Sequence, residues 1–228
     1  MTQLPIDLPF RPAYGRADFL VSDCNAVALA RIDRWPDWPG RALVLHGPAG
    51  SGKSHLVQLW RERSSAVLIA GEALADHDPA VLAASPAVAV DEGDRAPEAA
   101  LLHLFNCCRE SGAGLLIVVR QAPGTLSIRL PDLGSRLRAS DCVGIGSPDD
   151  RLLSALLVKH FADRQLRVDP EVIAYLVPRM ERSFAAAAAL AERLDRLALS
   201  AHRPVGLALA RQALVELGAD QAVAGDQL

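Results

Sequence analysis

The chain has 228 residues, of which 50% are hydrophobic, 4% aromatic and 22% charged. That length suits one medium domain with a small companion. A mean hydropathy of +0.17 calls for a substantial aliphatic core, which excludes a collagen, a coiled-coil rod, a disulfide mini-protein and disorder over most of the chain. A net charge of −3 and few Phe, Trp and Tyr weigh against phosphate neutralisation or base stacking on nucleic acid, and favour a protein or small-molecule partner.

In chain order, the start MTQLPIDLPF lacks the basic and apolar regions of a secretory leader, and no aliphatic run approaches the roughly 20 residues of a membrane helix. Cys24, Cys107, Cys108 and Cys142 show no metal-ligand or disulfide pattern, so a reducing, cytoplasmic setting is expected. Pro5, Pro9 and Pro12 favour an extended arm over residues 1–12. Residues 13–146 then carry five short apolar runs, Leu43–His46, Val67–Ala70, Ala87–Val90, Leu115–Val119 and Cys142–Ile145, separated by helix-length amphipathic segments. Near-continuous apolar runs with helical spacers predict an α/β fold, a five-stranded parallel sheet flanked by helices. Trp35-Pro36-Asp37-Trp38-Pro39-Gly40 reads as a rigid turn into the first strand.

Residues 147–218 predict a small all-α lid domain. Its first helix is expected from Ser147-Pro148-Asp149-Asp150, with an N-cap, a first-turn proline and acidic residues, and places Leu152, Leu153, Leu156, Leu157 and Phe161 on one face. A second helix opens at Asp169-Pro170-Glu171 and stops near Pro178. A third starts near Ser183 and runs through the alanines to Leu197, and a fourth spans about Pro204–Leu217. Residues 219–228 are expected to form a flexible tail.

Gly47-Pro48-Ala49-Gly50-Ser51-Gly52-Lys53-Ser54 matches G-x-x-x-x-G-K-[ST] between a predicted strand and a predicted helix. Glycines at this spacing let backbone N–H groups turn toward phosphates. Lys53 would reach the β and γ oxygens, and the Ser54 hydroxyl would ligand Mg²⁺ at the positive end of the helix. Ala87-Val88-Ala89-Val90-Asp91-Glu92 ends in two carboxylates at the ligand-binding edge of a parallel sheet. Asp91 suits Mg²⁺, and Glu92 suits the polarisation of an attacking water. His46 and His55, which flank the loop, read more readily as packing residues than as catalysts.

These motifs, with a helical lid, resemble the AAA+ ATPases. Phe19-Leu20-Val21-Ser22-Asp23-Cys24-Asn25-Ala26-Val27-Ala28 is similar to the adenine-side motif of the replication initiator DnaA, and Leu130–Leu137 is similar to its arginine-finger segment. The resemblance is to the Hda family, short DnaA homologues that inactivate DnaA; no stretch of this sequence is expected to form the DNA-binding helix-turn-helix of an initiator. It implies that ADP or ATP is held by Leu20, Val21, Asn25, the loop from Gly47 to Ser54 (Pro48, Ala49, Gly50, Ser51, Gly52 and Lys53 included), His55 and the second-sensor Arg182. It implies Mg²⁺ at Ser54 and Asp91, Glu92 as the hydrolytic residue, and Arg136 as a finger acting on a neighbour's nucleotide, with Arg138 as the competing candidate. It further implies that Gln3, Leu4, Leu8, Pro9 and Phe10 dock on the DNA polymerase sliding clamp, whose β subunit and DnaA would be the partners. A homodimer stays open.

One position departs from the family. Leu116-Ile117-Val118-Val119 offers aliphatic side chains where a polar first sensor is usual, so intrinsic ATP hydrolysis is expected to be weak and the chain to act mainly as activator of a partner's ATPase, restraining re-initiation. The competing expectations are an autonomous DnaA-like or helicase-loader-type AAA+ ATPase acting on DNA, and a P-loop small-molecule kinase.

Overall fold

A computed structural model describes residues 15–225; the expected clamp-binding arm, with Gln3, Leu4, Leu8, Pro9 and Phe10, lies outside the described residues. The α/β part runs α1 (Asp23–Asp33), β1 (Ala42–His46), α2 (Lys53–Ser64), β2 (Val67–Ala70), α3 (Pro79–Ala83), β3 (Ala87–Asp91), α4 (Glu98–Ser111), β4 (Gly114–Val119), α5 (Pro131–Ala139) and β5 (Asp141–Gly144). All five strands are parallel in the order β2-β3-β4-β1-β5. The order reverses between β1 and β3, which flank β4, so a crevice opens at the carboxyl ends of these strands, where parallel sheets hold ligands.

The central strands β1, β3 and β4 are almost entirely apolar because both sheet faces are covered there. Alternate residues split cleanly between two clusters: Leu43, Leu45, Ala87, Ala89, Leu116 and Val118 pack toward α1 and α2, while Val44, Val88, Val90, Leu115, Ile117 and Val119 pack toward α3, α4 and α5. At about 1.5–3 kcal/mol for each fully buried aliphatic side chain, this double burial supplies the main stabilisation of the sheet. Trp35, Trp38 and Trp60 form one aromatic stack, with Trp38 parallel to Trp60 at 5.1 Å and Trp35 edge-on to both. Only a glycine fits beneath it, since a Cβ on Gly114 would lie 2.0 Å from the Trp35 ring.

The lid comprises α6 (Asp150–Asp163), α7 (Pro170–Leu176), α8 (Phe184–Ala201) and α9 (Leu207–Gly225). Leu153, Leu157, Phe161, Leu176, Leu190, Leu194 and Leu209 form its separate core. Two expectations need correction. The first lid helix begins at Asp150, not at Pro148: Asp149 takes the N-cap and accepts the Leu152 N–H at 2.6 Å, so Ser147 and Pro148 remain outside. The last helix continues beyond Leu217 to Gly225, because the alanine-rich residues after Gly218 favour a helix and outweigh the cost of one glycine. No helix among the described residues is long and apolar enough to cross a membrane.

Candidate nucleotide site

The phosphate loop runs from the end of β1 into α2, with Gly50 at φ 74° and Gly52 at φ 90°, both in the left-handed region that glycine enters without steric cost. The cradle is tight. A Cβ at Gly50 would stand 3.3 Å from Phe184 at the start of α8, so the lid closes directly on the loop. Inside the loop the Ser51 hydroxyl oxygen is buried without a hydrogen-bond partner. Lys53 Nζ donates to the Gly47 and Pro48 carbonyls, each at 2.7 Å, which holds its charge over the mouth of the loop. Burial pulls the Lys53 pKa below its usual value, partly offset by Asp91, Asp94 and Glu92, while Arg120 pulls it lower still.

At the end of β3 the expected carboxylates meet the loop. Ser54 Oγ donates to Asp91 Oδ2 at 2.9 Å, which joins the two residues assigned to Mg²⁺. Asp91 Oδ1 accepts the Glu92 N–H at 2.9 Å. Glu92 occupies the left-handed region (φ 50°, ψ 45°) and its carboxylate accepts from Arg95 at 3.0 Å and from Arg120 at 3.3 Å; the Arg95 hydrogen bond is the main reason its pKa lies below the usual carboxylate range. Ala49, Gly50, Lys53, Ser54, Asp91, Glu92, Asp94 and Arg120 line one cleft of about 280 Å³. Sequence reasoning passed over Arg120. Val118 and Val119 are both buried, as the aliphatic run implies, but the next residue puts a guanidinium into the cleft.

A second cleft, of about 100 Å³, lies between the loop and the lid and is lined by Leu20, Asn25, Gly50, Ser51, Gly52, His55, Leu156 and Phe184, among others. Here the expected adenine-side residues divide. Leu20 and Asn25 line the cleft, whereas Val21 is 57% exposed and does not. Both ends of the Asn25 amide are engaged, Oδ1 accepting from Ser22 N at 2.9 Å and Nδ2 donating to Leu20 O at 2.8 Å, so Asn25 shapes the wall by capping α1. His55 stacks edge-on against Phe19. His46 packs on Gly144, where a Cβ would come within 2.5 Å of its ring.

Arg182 lines neither cleft. Ser183 takes the N-cap of α8, which leaves Arg182 outside the helix, 68% exposed and paired with Asp150 at 3.0 Å. In α5, Arg136 lies over the Phe105 ring at 5.9 Å, with Asp132 at 3.7 Å and its Nε buried without a partner, while Arg138 is exposed. The preceding turn is tied down by the Glu98 carboxylate, which accepts backbone N–H groups from Arg129 and Leu130 at 2.7–3.0 Å.

No family model matches the chain. DnaA of Thermomicrobium roseum is 24% identical over 236 aligned positions that cover 90% of this chain and 50% of DnaA; the chain spans about half the length of the curated relatives it matches. Domain III of Thermotoga maritima DnaA superposes with a TM-score of 0.75 at 19% identity, covering 92% of this chain and 98% of that one. The chain therefore shares the fold of DnaA domain III, a five-stranded parallel sheet with a helical lid. AMPPCP-bound DnaA from Aquifex aeolicus matches at TM-score 0.67 and 16% identity, covering 83% and 67%.

The residues present fit a nucleotide: Gly47, Gly50 and Gly52, where a Cβ would stand 3.0–3.3 Å from its neighbours, a buried Ser51 hydroxyl without a partner and a partly desolvated lysine belong to one loop. Ser54 and Asp91 would hold Mg²⁺, which would neutralise phosphate charge when bound.

In the lid, His160 has its pKa lowered, chiefly by burial and then by Arg164, with Asp163 opposing; His46 is lowered by burial and by Lys53. Well above pH 6.5 these rings are neutral in both folded and unfolded states. Below it the unfolded chain takes up protons that the folded one refuses, so stability falls as pH drops from about 6.5 toward the depressed folded pKa. Urea denaturation at pH 7.5 and 5.5 should show this loss in wild type and a smaller one in His160→Gln; equal losses would remove His160 as a source.

Proposed function

We propose that this chain is a nucleotide-dependent regulator of replication initiation of the Hda kind, which binds ADP or ATP with Mg²⁺, docks on the sliding clamp through its N-terminal arm and stimulates hydrolysis of DnaA-bound ATP. The observation that carries the reading is the convergence of the phosphate loop, Asp91 and Glu92 in one cleft of a DnaA-like fold, with an arginine-bearing helix elsewhere on the domain. In this reading the loop and Lys53 bind the nucleotide, Ser54 and Asp91 hold the metal, and Glu92 orients water. An arginine of α5 reaches a partner's phosphates, where a guanidinium stabilises charge that develops in the transition state. Tethering both ATPases to one clamp raises their effective concentration for each other.

The test is a reconstituted assay with DnaA, ATP and a clamp loaded on DNA. Arg136→Ala is expected to lower the stimulated rate by on the order of 10³, the scale of a finger supplied in trans. Arg138→Ala serves as the comparison, since Arg138 is the more exposed of the two. Full stimulation by both variants would remove α5 from the mechanism. Turnover without DnaA, together with strongly salt-dependent DNA binding, would favour an autonomous ATPase acting on DNA.

A further inference from the structure

We propose that Glu98 is a positioning residue for Arg136: by holding the head of α5 against α4, it fixes where the Arg136 guanidinium stands when it meets a partner's nucleotide. The inference rests on the arginine role proposed above and adds the residue that sets its place.

Two contacts hold α5 against α4, and their spacing matches. At the start of α4 the Glu98 carboxylate accepts the Arg129 N–H at 2.9 Å on Oε1 and 3.0 Å on Oε2, and the Leu130 N–H at 2.7 Å, just before α5 begins at Pro131. Two turns further along α4, the Phe105 ring lies 5.9 Å from the Arg136 guanidinium carbon. The rise from Glu98 to Phe105 is about 10 Å and that from Leu130 to Arg136 about 9 Å. The two helices therefore run side by side in one direction, pinned at the head by Glu98 and two turns on by Phe105.

The head of α5 has little else to hold it. Its N-cap is Leu130, whose side chain cannot accept a backbone N–H, and Pro131 follows. Packing beneath is incomplete, since Glu98, Leu101, Leu126, Ile128, Leu133 and Leu137 line a cleft of about 220 Å³ into which α5 could shift. The Arg129 N–H, and then the Leu130 N–H, pull the Glu98 pKa below the usual carboxylate range, so the tether is ionised at neutral pH. Its charge lies at the N-terminal ends of both α4 and α5, where helix dipoles favour an anion. Arg136 cannot fix itself. Its Nε is buried without a hydrogen-bond partner, and Asp132, which faces it at 3.7 Å, belongs to the same helix and moves with it. Misplacing a group by about 1 Å can cost on the order of 10² in rate.

The test is hydrolysis of DnaA-bound ATP with clamp loaded on DNA, run to saturation in the added chain for wild type, Glu98→Ala, Glu98→Gln, Arg136→Ala and the double variant Glu98→Ala with Arg136→Ala. Glu98→Ala is expected to lower the maximal stimulated rate by about 10- to 100-fold and to change the half-saturating concentration less than about twofold. Glu98→Gln keeps one acceptor oxygen and should recover part of the rate; it carries the comparison if Glu98→Ala fails to fold. The double variant should be no slower than Arg136→Ala, because a group that acts through Arg136 then has nothing left to position. A wild-type maximal rate in Glu98→Ala, or a further loss in the double variant, overturns the proposal and leaves the arginine role standing. If wild type gives no stimulation, the function proposed above fails, and the Arg136 Nε–H resonance decides on Glu98: a shift in Glu98→Ala and Glu98→Gln supports the tether, and an unchanged resonance overturns it.

Discussion

Lys53→Ala is expected to weaken Mg²⁺-nucleotide binding by about 100-fold while moving the melting temperature of the ligand-free protein by only a few degrees. Two charge-assisted hydrogen bonds to phosphate at about 1.5 kcal/mol each amount to about 3 kcal/mol, or roughly two factors of ten in affinity. The folded chain loses less. Lys53 donates to the Gly47 and Pro48 carbonyls, but its ammonium is partly desolvated, which pulls its pKa down, so deleting it removes a burial cost along with those bonds. Titration calorimetry beside a thermal melt separates the two effects. Unchanged affinity would remove the loop from nucleotide binding altogether.

Gly71→Ala should show the opposite pattern, with folding strongly impaired and the phosphate loop itself untouched. Gly71 follows β2, and a Cβ there would lie 2.2 Å from the Glu92 carbonyl oxygen and 2.9 Å from its carbon. These are backbone atoms, so relief requires the turn after β3 to move. That turn already holds Glu92 in the left-handed region, a strain of about 1–2 kcal/mol for a residue with a side chain. Overpacking of this kind costs about 1–3 kcal/mol, which for a chain of this size lowers the melting temperature by roughly 2–12 °C. Any folded fraction should bind ADP with near wild-type affinity, because Lys53 and the loop glycines are not displaced. A melting temperature within 1 °C of wild type would show that the turn yields freely.

The sheet could be read from the sequence because its three central strands, β1, β3 and β4, are buried on both faces, which leaves a nearly uninterrupted apolar signature. The boundaries fell one residue off at the starts of β1, β4 and β5 (Ala42, Gly114 and Asp141) and at the ends of β3 and β5 (Asp91 and Gly144). The phosphate loop was equally legible, since its chemistry demands glycine and lysine at fixed spacing. Arg120 was not. A search for a polar residue within the strand stops at Val119, and only the fold shows that the residue after the strand reaches back to Glu92. Asn25 carries the reverse lesson. Its residue type matched an adenine-side motif, yet its amide is spent on Ser22 and Leu20, and no spacing rule reveals which hydrogen bonds a buried amide will choose. The first lid helix starts two residues later than Pro148 suggested, because the hydrogen bond from Leu152 N puts the N-cap on Asp149.

The aromatic stack gives the protein an uneven optical character. Trp35, Trp38 and Trp60 are all the tryptophans in the chain, and they sit together against Gly114 at the amino end of β4, opposite the edge of the sheet where Arg120 enters the phosphate cleft. Indole fluorescence and the near-ultraviolet circular dichroism of the stacked Trp38–Trp60 pair therefore report the integrity of the sheet and are nearly blind to the lid. The lid carries a separate chromophore, Tyr175, flanked by the guanidinium groups of Arg179 at 4.1 Å and Arg211 at 5.7 Å. Unfolding followed at 295 nm thus tracks one domain, and a lid that opened or melted first would be seen through Tyr175 or through a tryptophan placed there for the purpose.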